Sequence, residues 1–146
     1  MANKIVVDTG KTWLGKYMMT GTGTVLNNNA VMHLFYNGVT IAHNTTLGEL
    51  AEVTNVLVPG YVPVTLGTAI DGGIDSSFFD TWVWPTVTFE ATGTPSPSPL
   101  QIIGYFVTDA TNTVLLWALN FSPLFTFAYS GDGFTLVPTF SFGSIF

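Results

Sequence analysis

The chain contains no cysteine. Disulfides and thiolate metal sites are therefore excluded, and stability has to come from packing and backbone pairing. It also contains no arginine. Its only cations are Lys4, Lys11 and Lys16. Beyond Lys16 every charged side chain is an acid, from Glu49 to Asp132, and the net charge is −6. An acidic body argues against nucleic acid, because phosphate contacts need clustered Lys and Arg. The cationic N-terminal segment suits an acidic partner surface or a solvated tail. Charge of either sign is scarce: 8% of residues are charged, against about 25% in an ordinary soluble domain. No apolar run approaches the roughly 18 residues of a membrane helix. No charged start is followed by an apolar core and a small-residue cleavage site, so no secretory leader is expected. A transmembrane barrel needs more alternating strands than are found here. A chain with 47% hydrophobic residues and little charge is expected to be a subunit whose surface partners cover.

The clearest element present is a β-hairpin. Ile103 to Thr108 and Val114 to Asn120 are β-branched, aromatic and aliphatic runs. Between them lies Asp109-Ala-Thr-Asn-Thr113, and Asp and Asn tolerate the left-handed backbone that closes such turns. Both runs are almost continuously apolar, which predicts a central pair with both faces at least partly covered.

The rest of the chain reads as short strands punctuated by turns. Residues 1–20 form an N-terminal arm, in which a short helix is predicted from about Thr9 to Met19 with Trp13, Leu14, Tyr17 and Met18 on one stripe. Val31 to Tyr36 is a strand, and Asn37-Gly38 predicts a hairpin turn after it, with Val39 to Ala42 pairing back. Thr46-Leu-Gly-Glu49 has the spacing of a capping box and predicts a short helix plugging an edge or end of the fold. Pro59-Gly60 turns the chain, and Tyr61 to Leu66, containing Pro63, is an edge strand. Gly67 to Asp80 is a long loop. Trp82 to Glu90 alternates polar and apolar residues. It places Trp82 and Trp84 on one face, filling core or an intersubunit pocket. A proline-rich loop, Thr92 to Pro99, leads into the central hairpin. Ser122-Pro123 is expected to break pairing, and Gly131-Asp-Gly133 to turn. Phe134 to Phe142 is expected to be the last strand. The apolar terminus Ile145-Phe146 is expected to tuck against the fold or a partner. The whole is a single all-β domain over residues 1–146, an antiparallel β-sandwich with a jelly roll as one arrangement of it, plus one or two short helices.

Motifs for chemistry are missing. No Gly-x-Ser-x-Gly elbow is present. Gly21-Thr-Gly23 is too short for a nucleotide fingerprint. Asp71, Asp75 and Asp80 do not follow the calcium-loop spacing. His33 and His43 have no metal-type spacing and are expected to be structural or solvent-facing. The expectation is no enzyme, no cofactor, no metal, no nucleic-acid partner and no membrane partner.

A longer pattern remains. It comprises Leu34-Phe-Tyr-Asn-Gly-Val-Thr40, Thr46-Leu-x-x-Leu50, Pro59-Gly-Tyr61-x-Pro63-x-Thr-Leu66, Thr88-Phe89, Gly104-Tyr-Phe-Val-Thr-Asp109, Leu116-Trp-Ala118 and Leu136-x-Pro-Thr-Phe140. From about Ala30 to Phe140 the chain resembles small structural proteins of tailed bacteriophages, including those of cyanobacterial phages, and in particular head decoration or cement proteins. The resemblance implies a virion component on the outer surface of the capsid. It would bind the major capsid protein, associate with itself as a homotrimer and catalyse nothing. A tail-fibre receptor- or glycan-binding tip, with its surface in the Asp71 to Trp84 region, is the alternative, together with a tail or baseplate subunit. Members often carry an acid and Arg after Leu-Trp-Ala, where this chain has Leu119-Asn120. The residues expected to contact partners are Lys4, Lys11, Trp13, Lys16, Trp82, Trp84, Ile145 and Phe146.

Overall fold

Among the described residues ten strands, all paired antiparallel, carry the fold. The computed structural model describes residues 5–12, 30–74 and 80–141. The strands are β1 (Ile5–Val6), β2 (Val31–Phe35), β3 (Val64–Thr65), β4 (Ile70–Ile74), β5 (Asp80–Val83), β6 (Val87–Glu90), β7 (Leu100–Thr108), β8 (Leu115–Phe127), β9 (Gly133–Leu136) and β10 (Thr139–Ser141). They form a five-stranded sheet, β1-β8-β7-β2-β3, a three-stranded sheet, β10-β5-β4, and a two-stranded pair, β6-β9. The fold is an all-β sandwich. Its division into five, three and two strands differs from an eight-stranded jelly roll.

The predicted hairpin is β7 and β8, and these are the central strands of the large sheet. Both of its faces are covered. On one face Met32, Leu34, Tyr105, Val107 and Trp117 pack with Trp84, Val87, Phe89 and Phe140 from the smaller sheets. On the other, Val7, Phe35, Phe106, Leu115 and Ala118 pack with Ile41 and Leu50 from the loop after β2. Each fully buried side chain of this kind contributes about 1.5–3 kcal/mol. The two sheet strands approach closely at Gly104. A Cβ there would lie 2.0 Å from the carbonyl oxygen of Leu119 and 2.7 Å from the Phe35 ring. The turn is closed by Asn112, whose φ is 58°.

Several expectations are corrected. Asn37-Gly38 does not turn a hairpin. The Asn37 amide instead accepts from the Ala51 N–H at 2.9 Å and donates to the Glu49 carbonyl at 2.7 Å. This pins the following loop, and β2 pairs with β3 and β7. The turn Leu47–Glu49 is a 3-10 helix, with the Glu49 carboxylate accepting from the Thr46 N–H and hydroxyl. Leu47 and Leu50 lie over the open face of the large sheet rather than at an edge or end. The segment expected as a long loop contains β4. Glycine permits it: Gly73 has φ 84° and its N–H bonds the Asp71 carboxylate, so the chain bulges beside β5.

Ser122-Pro123 does not end β8. Asn120 pairs with Gly104 and Phe125 with Ile102, so residues 121–124 stand opposite Ile103 alone as a bulge. Proline is tolerated in such a bulge because no ladder donor is required there. The last predicted strand is two. Pro138 interrupts it, and the chain passes from β6 to β5 at the point where the Trp84 N–H donates to the Pro138 carbonyl at 2.9 Å. Residues 8–12 are helical, in line with the predicted start. The remainder of that predicted helix lies outside the described residues.

Candidate functional site

The bulge in β8 builds a surface. Phe121 and Phe125 sit on either side of Ser122-Pro123-Leu124, and their rings meet edge-on at 4.8 Å. Phe125 stacks on Phe134 of β9 at 4.1 Å, nearly parallel. Phe121 also meets Phe134 edge-on at 5.7 Å. Beneath them Phe134 reaches Phe89 and Phe127, and Phe121 reaches Tyr105. An aromatic ridge thus rises from the core to solvent. Leu124 is 40% exposed and Phe125 37% exposed at its crest. No charged residue occurs between Asp109 and Asp132, so the crest of β8 is neutral along its length. Aromatic side chains of this kind are enriched at protein contacts, and charged ones are depleted at their centres.

A second constellation is polar and buried. His33 of β2 places Nδ1 2.7 Å from Glu52 Oε1 and Nε2 3.0 Å from the Thr108 hydroxyl. Its ring stacks on Phe106 at 4.6 Å. The Tyr61 hydroxyl accepts from the Leu34 N–H at 2.9 Å and donates toward Glu52 Oε1 at 3.4 Å. Burial pushes the Tyr61 phenol far up, so it stays protonated. The order carboxylate, imidazole, hydroxyl is that of a hydrolytic triad. Such a triad needs space beside the nucleophile for a reacting carbonyl. Thr108 is 1% exposed, and its hydroxyl also lies 3.1 Å from both the Asp109 carbonyl and Asn112 Oδ1. The enclosed hydroxyl fastens the hairpin turn to β2.

The turn has its own anchor. Asp109 Oδ1 accepts from the N–H groups of Thr113 and Val114, both at 2.9 Å, and Oδ2 accepts from the Thr111 and Thr113 hydroxyls. Burial alone would raise the Asp109 carboxyl. The donors from Thr111, Val114 and Thr113 outweigh it and hold the group below the usual carboxylate range.

Of the residues expected to contact partners, Trp84 is buried in the core. It packs against Trp117 at 5.8 Å. Trp82 is half-buried against the same core, and Lys11 is half-buried in the helical segment. Lys4, Trp13, Lys16, Ile145 and Phe146 lie outside the described residues, as does Asp75. His33 is structural, and His43 is solvent-facing beside Asp8 at 3.3 Å. No cluster of three or more His, Cys, Asp or Glu side chains suited to a metal occurs among the described residues. Asn120 accepts from the Ile41 N–H and donates to the Val39 carbonyl, both at 2.8 Å. It secures the loop that covers the large sheet.

Sequence reasoning missed both constellations as units. The ridge had a signal, namely phenylalanines at 121 and 125 within a stretch without charge and a third at 134 just past Asp132. The His33 group had none, since its partners lie 19 and 75 positions away.

No family model, curated protein or solved structure matches the chain at a significant level.

Proposed function

We propose that this chain is a structural protein of a tailed-bacteriophage virion, a decoration or cement protein on the outer surface of the head. In this reading it binds the lattice of the major capsid protein, associates with itself as a homotrimer and performs no catalysis. The observation that carries the proposal is the neutral aromatic ridge of Phe121, Leu124, Phe125 and Phe134 on a chain with only 8% charged residues. Such a surface favours burial against a large neighbour. A cement protein stabilises a shell by binding its assembled state, so contact area is its whole mechanism. The motif resemblance points to the same class.

The alternative is a receptor- or glycan-binding fibre tip, with an aromatic platform between Asp71 and Trp84. Of its two tryptophans, Trp84 is core and Trp82 is half-buried.

Quantitative mass spectrometry of purified virions, with isolated heads and tails, tests the proposal. The expected result is copies in lattice proportion to the major capsid protein and confined to heads. A few copies per particle, confined to tails, would overturn it.

A further inference from the structure

His33 joins three segments far apart in the chain: β2, the Glu52 segment and the last residue of β7. The join runs through one hydroxyl. Thr108 Oγ1 carries a single proton and has three acceptors within reach. These are His33 Nε2 at 3.0 Å, the Asp109 carbonyl at 3.1 Å and Asn112 Oδ1 at 3.1 Å. Which of them receives the proton depends on the imidazole. In a neutral ring whose Nδ1–H donates to Glu52, Nε2 is a lone pair and Thr108 donates to it. In an imidazolium, Nε2–H becomes the donor. The Thr108 oxygen must then accept, and its own proton is free for Asn112 or Asp109.

We propose that His33 is a proton switch for the 109–113 turn: protonation of its ring turns the Thr108 hydroxyl away from β2 and onto Asn112, tying down the turn. Asn112 is the residue where one more bond matters. It holds a left-handed backbone, φ 58°, which is costly for any residue but glycine. Its other tie is its N–H to the Asp109 carbonyl at 3.0 Å. Residues 110–113 are exposed, so the turn stands at the surface end of the central hairpin.

The titratable groups facing His33 from the neighbouring elements are few. Glu52 supplies the carboxylate on Nδ1, with its side chain 37% exposed. Tyr61, from the segment before β3, keeps its phenolic proton and donates toward Glu52. Asp109, at the end of β7, turns its carboxylate away into donors of Thr111, Thr113 and Val114. It remains ionised across the imidazole range. Phe106 covers the ring face. Asp109 is thus a fixed anchor, and His33 is the group through which the proposed switch acts. The inference stands independently of the virion reading.

The test is an NMR titration of the full ¹⁵N-labelled chain from about pH 8 to about pH 5, where imidazoles ordinarily change charge. It reads the ring nitrogens of His33 and the backbone amides of residues 109–114. The expected result is one shared midpoint for the ring and the amides of residues 111–113. After correction for intrinsic chemistry, exchange of those amides slows about fivefold at the acid end, the effect of one gained hydrogen bond. In Asn112→Gly, which keeps the left-handed backbone but removes the acceptor, the ring still titrates and the amides no longer follow. Amides that stay flat while the ring titrates would overturn the proposal. So would a ring that keeps one charge state throughout, or an amide response that persists in His33→Gln.

Discussion

The two halves of β8 are one strand in two chemical situations. Leu115 to Ala118 are buried, held between β7 and β1 and covered on both faces. Ser122 to Thr126, in the bulge and just after it, are exposed. Both halves are rich in apolar residues. The first spends that character on the protein's own core, and the second presents it to solvent beside Phe134. Hydrophobic composition therefore has two distinct meanings along a single strand. Only the register with β7, shifted at residues 121–124, separates them.

Substitutions can break this comparison. The largest effect is expected inside. Trp117→Ala removes a fully buried ring that touches Trp84 and Phe140, and should cost about 3–5 kcal/mol in chemical denaturation. Next is the hairpin turn. Asp109→Ala deletes the acceptor of four donors and should cost about 2 kcal/mol. The same variant has a pH signature. The Asp109 carboxyl is depressed in the fold, so its contribution is fully present above the ordinary carboxylate range. It is lost as pH falls through the depressed value. Acid unfolding of Asp109→Ala should accordingly lose less stability over that interval than the parent chain.

The outer half should respond differently. Phe125→Ser removes one stacked pair at the crest and should cost only about 1 kcal/mol of stability. Under the proposed function, its affinity for capsids, measured by sedimentation, should fall at least about tenfold. The smallest effect is expected at Tyr129, which is 72% exposed on the turn after β8. Tyr129→Ser should stay within about 0.5 kcal/mol in stability and bind capsids as the parent does. A loss of binding there equal to that of Phe125→Ser would mean that any exposed aromatic suffices.

Much of the fold was legible because its signals are local. The β7–β8 hairpin declared itself by two apolar runs around Asp109 and Asn112. The alternation of Thr86 to Glu90 gave the burial pattern of β6, and Pro63 marked the edge on which β3 lies. What misled was local chemistry redirected by distant partners. Asn37 reads as a turn former, yet its amide is taken by residues 49 and 51. Ser122-Pro123 reads as a terminus, yet Phe125 to Phe127 pair again with β7. Glycines at 72 and 73 read as a loop, yet they permit a bulged strand. The aromatic ridge was half-legible. Its residues were visible as a phenylalanine cluster, but nothing local tells which ring reaches solvent. The His33 group depends on the pairing of β2 with β7 and on the bridge from Phe35 to Glu52.

The proposed function requires that a capsid cover the outer half of β8 when the protein binds it. Covalent footprinting of the capsid-bound and free protein tests this directly. The account predicts that Phe121, Leu124 and Phe125 are labelled in the free protein and protected on the capsid, with Tyr129 labelled in both. Equal labelling of Phe125 in the two states would contradict it.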